Sequence, residues 1–145
     1  MTADPIRAAD LLNRRFFIDY PLDAARKLEE LGLPEAVEAV ARHPVQVLAP
    51  VWRCLLPDTA ARLLLALPDE LSDRLIAEMQ PPQAVRILAH LDESELQRRI
   101  ERLDPAIGKD LETLLSYPVD TAGRLMNPGV ATFRREMPVK QALQR

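Results

Sequence analysis

The chain has 145 residues, enough for one domain with its own core but too few for two full-sized domains. Its hydrophobic fraction of 48% and its scarce aromatics at 4% favour helices over sheet. No stretch approaches the roughly 18 uninterrupted apolar residues of a membrane-spanning helix, and acids outnumber bases between residues 56 and 117. We therefore expect neither direct membrane insertion of this segment nor nucleic-acid binding, which depends on neutralising phosphates.

Prolines recur along the chain at intervals of about twelve residues, with one interval left open near Glu93. Proline is favoured in the first turn of a helix, and the acids that often follow complement the positive end of the helix dipole. Each interval therefore predicts the start of a new helix. The prolines concerned are Pro21, Pro34, Pro44, Pro57, Pro68, Pro81, Pro105 and Pro118.

Within each interval the apolar residues are three and four positions apart, which predicts one apolar stripe per helix. A helix of eight or nine residues, about 13 Å long, is too short to be stable alone and must stack on its neighbours. The repeat therefore predicts an all-α fold, a right-handed superhelix (alpha-solenoid) of at least eight short helices between Leu11 and Met126, without sheet. The stripes contain Leu63, Leu64, Leu67, Leu71, Leu75, Ile76, Met79, Val85, Leu88 and Leu91.

Charged pairs at helical spacing, among them Asp58 with Arg62 and Glu95 with Arg99, are predicted to lie on solvated faces. The chain has neither a phosphate-binding glycine loop nor a nucleophile elbow, and its single cysteine, Cys54, has no convincing partner base. Because no catalytic constellation is recognisable, we expect the protein not to be an enzyme.

The segment 114–126, with the sequence LLSYPVDTAGRLM, carries the most specific signal. Together with the proline repeat, it resembles the intracellular N domain of MgtE magnesium transporters, which ends in a similar tract followed at once by a CBS domain. Val119, Thr121 and Arg124 depart from that tract. The resemblance divides the chain into an extension (1–19), the N domain (20–126) and the beginning of a CBS domain (127–145). In the last part, residues 130–133 are predicted to form a strand and residues 137–143 resemble the opening of the first CBS helix.

The resemblance implies a regulatory region at the cytoplasmic face of the inner membrane. In the family, Mg²⁺ brings the N and CBS domains of a dimer together, and this closure shuts a membrane pore, which is not part of this chain. The implied partners are the protein's own CBS and transmembrane domains, in a homodimer when full length. The implied cofactor is Mg²⁺, whose preferred ligands are oxygens.

Asp69 and Asp73, four residues apart on one helical face, are the first candidate metal ligands, because like charges repel there unless a cation or a base lies between them. The alternative is that Asp69 serves a helix N-terminus and Asp73 is solvated. Asp92 and Glu93 are further candidates, in a cluster with Glu95 whose alternative role is to start a helix.

Asp120, in the closing tract, is the last candidate ligand, and its alternative role is to cap the helix that follows it. The family often carries aspartates in the unit that aligns with residues 79–88, where this sequence has Gln83 and Arg86. We therefore expect only weak Mg²⁺ binding by this chain, in the millimolar range. A different class of function is also open: short-helix solenoids resemble the middle domain of the flagellar switch protein FliG, an adaptor that binds protein partners without metal.

Overall fold

The computed structural model describes residues 13–128, and every regular element in that range is helical. The prediction of an all-α fold with at least eight short helices and no strand is therefore confirmed for these residues. The predicted strand at 130–133 and the predicted CBS helix at 137–143 lie outside the described residues. The helices are α1 (13–19), α2 (Pro21–Glu30), α3 (Leu33–Ala41), α4 (Val45–Trp52), α5 (Pro57–Ala66), α6 (Asp69–Glu78), α7 (Pro81–Leu88), α8 (Glu93–Arg102), α9 (Pro105–Leu115) and α10 (Ala122–Leu125).

Seven of the eight prolines of the repeat mark helix starts as the sequence predicts, whereas the prediction for Pro118 is wrong, because α10 begins only at Ala122. A proline occupies the first or second position of α2, α3, α5, α7 and α9, and Pro44 and Pro68 are the N-cap residues of α4 and α6. At the open interval, Asp92 is the N-cap of α8, and its side chain accepts a hydrogen bond from the Glu95 backbone N–H at 2.9 Å. An aspartate thus replaces the proline, because both residue types suit the start of a helix.

Four of the junctions between helices in the described range are tight and extended. Helices α2, α5, α6 and α8 each end at an apolar residue in extended conformation, namely Leu31, Leu67, Met79 and Leu103. No described residue has a positive φ. The chain therefore turns from one helix into the next without the left-handed glycine that closes many helices.

Helices pack chiefly on the second helix along the chain. One stack contains α2, α4 and α6, and the other contains α3, α5, α7 and α9, while α8 and α10 both pack against α9. This arrangement is the stacking of a solenoid, in which each short helix buries its apolar stripe against helices from neighbouring units. The right hand of the superhelix stays a prediction.

The core runs along the contact between the two stacks. Trp52, Leu48, Leu63 and Leu75 are among its largest fully buried side chains. The predicted stripes are buried, except that Leu71 and Leu91 are half-buried at the edge of the core. None of the helices within residues 13–128 is both long and apolar enough to cross a bilayer.

Two neighbouring leucines of α5 test the orientation of its apolar stripe. Leu63 is 0% exposed and Leu65 is 48% exposed. Replacing Leu63 with alanine is expected to lower the free energy of unfolding by about 2 to 5 kcal/mol, because it opens a cavity in the core. The matched change Leu65→Ala is expected to alter it by no more than about 0.5 kcal/mol. Urea unfolding followed by circular dichroism measures both, and equal losses would contradict this placement of α5.

Candidate functional site

The site is built around one backbone carbonyl at the end of α5. In a continuing helix the Leu64 carbonyl would accept from the N–H four residues on, but that residue is Pro68, which has no N–H. Two side chains supply the missing donors. The Ser72 hydroxyl of α6 donates to the Leu64 oxygen at 2.8 Å, and the Arg99 Nη2 of α8 donates to it at 3.3 Å. The end of α5 is thereby tied to both α6 and α8.

Arg99 is a buried charge, with its side chain 1% exposed. Its Nε donates to the Glu95 Oε1 at 2.8 Å, its Nη2 lies 3.0 Å from the Asp69 Oδ1, and its Nη1 lies 3.4 Å from the Asp73 Oδ1. The predicted pairing of Glu95 with Arg99 is therefore present, but its predicted exposure is wrong. Burying a guanidinium is costly unless its donors are satisfied, and here each of its three nitrogens has an acceptor.

Two further arginines of α8 complete the arrangement. Arg98 binds Asp69 through both terminal nitrogens, at 2.8 and 3.2 Å, and also binds Glu95 at 2.7 Å. Arg102 donates from Nε to the Asp73 Oδ2 at 2.8 Å. Three positive and three negative side chains thus balance across the gap between α6 and α8. We call this set the arginine cluster: Asp69, Asp73, Glu95, Arg98, Arg99 and Arg102.

The arginines also hold two of the carboxylates in their charged form. The hydrogen bond from Arg98 lowers the pKa of Asp69, with Arg99 and Arg102 adding to the effect against partial desolvation. A hydrogen bond from Arg98 likewise lowers the pKa of Glu95, with Arg99 contributing further. The same two carboxylates raise the pKa of Arg98. Full ionisation of these groups near neutral pH follows.

The structure brings the predicted metal ligands Asp69 and Asp73 together, but with guanidinium groups between them. The alternative that Asp73 is solvated is wrong, because its side chain is 16% exposed and bound by arginines. Within residues 13–128, no group of three or more His, Cys, Asp or Glu side chains is placed to hold a metal ion. Metal binding at Asp69 and Asp73 stays a prediction, and a cation would have to displace an arginine there.

The remaining predicted ligands lie at helix starts. Asp92 caps α8, and its pKa is lowered because its carboxylate accepts from the Glu95 N–H and the Ser94 hydroxyl. Glu93 is exposed in the first turn of the same helix. The expected capping of the next helix by Asp120 is wrong: Thr121 is the N-cap of α10, and its hydroxyl donates to the Pro118 carbonyl at 2.8 Å. Asp120 is exposed.

Sequence reasoning missed Ser72, Arg98 and Arg102 as parts of this site. A signal for them was present. Residues 98, 99 and 102 share one helical face, and the unpaired Leu64 carbonyl can be inferred from Pro68. Nothing local, however, indicates that α8 lies opposite α6.

The stacking of short helices and the polar cluster between α6 and α8 define the protein as an all-helical solenoid domain. The sequence profile of one family, the MgtE intracellular N domain, matches residues 20–120. The chain belongs to this family, which is that of a transporter regulatory domain and not a family of enzymes. No curated protein matches the chain.

The buried arginine offers a sharp test of the cluster. Arg99→Met keeps most of the apolar stem but leaves three carboxylates and the Leu64 carbonyl short of a donor. It is expected to lower the free energy of unfolding by about 3 to 5 kcal/mol, the usual cost of breaking a buried ion pair. The control Arg98→Met removes an exposed member and is expected to cost much less. Urea unfolding at neutral pH measures both, and similar losses would show that burial of Arg99 is not what matters.

The cluster also predicts how stability depends on pH. Asp69, Glu95 and Asp92 have pKa values below their ordinary ones in the folded state, so the unfolded chain binds their protons more readily. Their contribution to the stability of the fold is full above the ordinary carboxyl pKa of about 4, and it is lost as the pH falls through the lowered pKa values of the folded state. As the pH is lowered from about 5 through these lowered pKa values, the urea denaturation midpoint is expected to decrease, and to decrease less steeply in Asp69→Asn. A matched change at the exposed Glu112, Glu112→Gln, is expected to leave the pH dependence of the midpoint unaltered. The same pH dependence in the unaltered protein, Asp69→Asn and Glu112→Gln would contradict the assignment.

Proposed function

We propose that the protein is the cytoplasmic regulatory region of a magnesium transporter, at the inner membrane. The observation that carries the proposal is the family match over residues 20–120, which spans almost all of the described solenoid. Its partners would be a CBS domain and a transmembrane domain of the same protein, within a homodimer. Mg²⁺ would favour association of the solenoid with the CBS domain, and that association would gate the membrane pore. A ligand that binds the associated form better shifts the equilibrium toward it.

The described residues do not fit a complete magnesium site. Asp69 and Asp73 are bound by arginines, and Asp92 accepts from its own helix start. Glu93 and Asp120 are exposed and form no ion pair within residues 13–128. Mg²⁺ usually takes one or two protein carboxylates and keeps several waters. A regulatory site would therefore require ligands from a second domain in addition to carboxylates of this one.

The pairing of acids with arginines in the arginine cluster favours a second function, that of an adaptor. If the acids of the arginine cluster serve only to join α6 to α8, the solenoid is an adaptor that binds protein partners without metal. Such a domain would transmit a conformational state through its surface alone. The two proposals differ in whether Mg²⁺ alters the protein.

Magnesium titration distinguishes the two functions. Calorimetric titration of the 145-residue chain with MgCl₂ is expected to give a dissociation constant in the millimolar range, because few carboxylates are free to coordinate. A full-length transporter carrying this domain is expected to bind more tightly, because closure adds ligands from the second domain. The adaptor proposal expects no magnesium-dependent heat and no tightening in the full-length protein.

Two double variants assign the ligands. Asp69→Asn with Asp73→Asn weakens magnesium binding if the arginine cluster is the site. Glu93→Gln with Asp120→Asn weakens it if the exposed carboxylates are the site. Because the first pair also alters the cluster, its helical content must be checked by circular dichroism at each magnesium concentration. Unchanged affinity in both variants would remove all four residues from the site.

A further inference from the structure

A small cavity lies where the end of α4 meets the starts of α5 and α7. Its volume is about 20 Å³, enough for a single water-sized group. It shares no residue with the arginine cluster. Its polar lining comes from Trp52, Arg53, Gln83 and Arg86, and its apolar wall includes Leu55 and Ile87.

Trp52, one of the residues that line this cavity, has a buried hydrogen-bond donor, its indole N–H. Its side chain is 0% exposed, and its Nε1 has no hydrogen-bond acceptor among residues 13–128. A buried N–H without an acceptor is costly and uncommon in folded proteins. Trp52 forms part of the cavity wall, and an acceptor atom that enters the cavity is therefore a candidate partner for this N–H.

Two positive charges accompany that donor. Arg53 follows α4 directly and Arg86 lies in α7; both are exposed, and neither forms an ion pair within residues 13–128. They differ in this from the arginines of α8, whose guanidinium groups are bound by carboxylates. The residues that line the cavity therefore carry an unsatisfied N–H, two guanidinium groups outside any ion pair of the described residues, and the half-buried Gln83 amide, and no carboxylate is among them.

We propose that this cavity is a carboxylate-binding site. One carboxylate oxygen would accept from the Trp52 Nε1, while Arg53 and Arg86 would bind the charge, since a guanidinium matches the planar carboxylate through paired N–H groups. The volume admits one oxygen atom of a bound acid. The carboxylate is that of an aspartate or glutamate side chain in a protein segment, or that of a small organic acid. The proposal does not depend on the proposed transport function.

The single tryptophan of the chain provides the readout. A ¹⁵N-labelled sample has one indole N–H resonance, which belongs to Trp52. Titration with sodium acetate, with sodium chloride replaced to keep the ionic strength constant, is expected to move that resonance downfield and to saturate in the millimolar range. Acetamide, which has the same shape without the charge, is expected not to saturate. An unmoved indole resonance in acetate, or an equal response to acetamide, would overturn the proposal.

A pair of peptides separates the two sources of the carboxylate. Acetyl-Gly-Glu-Gly-amide and its glutamine counterpart are titrated in the same way. Tighter binding of the glutamate peptide than of acetate identifies a protein segment, and equal or weaker binding identifies a small acid. In both cases the glutamine peptide is expected to leave the resonance in place.

Variants test the two arginines. Arg53→Gln and Arg86→Gln are each expected to weaken acetate binding by about tenfold, a change typical of losing one charge-assisted hydrogen bond. Both side chains are exposed, so the fold should be retained, which the remaining amide resonances verify. The control Arg74→Gln changes an exposed arginine of α6 outside the lining and is expected to leave the affinity unaltered. Unaltered affinity in both Arg53→Gln and Arg86→Gln would contradict the site.

Discussion

The hydrogen bonding of one carbonyl, that of Leu64, governs how the middle of the solenoid is assembled. A proline at the start of a helix cannot donate to the carbonyl four residues earlier, so a repeat that begins its helices with proline leaves an unpaired acceptor at the end of the preceding one. In two places the chain resolves this locally, because the His43 N–H donates to the Val40 carbonyl and the Tyr117 N–H donates to the Leu114 carbonyl. At Leu64 the corresponding N–H, that of Leu67, is already bound to the Leu63 carbonyl. Side chains from other helices must then supply the donors.

That requirement explains why an arginine lies in the interior. Arg99 brings its guanidinium to the Leu64 carbonyl, and its remaining N–H groups are satisfied by Asp69, Asp73 and Glu95. A cluster of this kind is not automatically more stable than an apolar one, because desolvation offsets much of the attraction between the charges. What it adds here is a defined position for α8, since this placement gives each nitrogen of Arg99 an acceptor and the Leu64 carbonyl a second donor.

Much of the fold was predictable because its information is local. The proline at each helix start, the acid after it and the leucines at helical spacing each involve neighbouring residues, and together they predicted short stacked helices. The arginine cluster was not predictable in the same way, because Arg98 and Arg102 reach carboxylates 29 residues away. The spacing of Asp69 and Asp73 did indicate that a positive group lies between them, but it could not distinguish a metal ion from a guanidinium. The capping role expected of Asp120 failed by one residue, since the helix begins after Thr121.

The junctions between helices have a mechanical consequence. Loops rich in glycine act as hinges, whereas here extended apolar residues such as Leu67 and Met79 lead directly into helix starts at which proline fixes φ. Few backbone torsions are free to absorb a displacement, and the buried apolar residues at these corners resist movement further. A displacement of one helix at such a corner is therefore expected to move the next helix with it. The corners at Leu67 and Met79 accordingly favour movement of α5, α6 and α7 as one unit over bending between them.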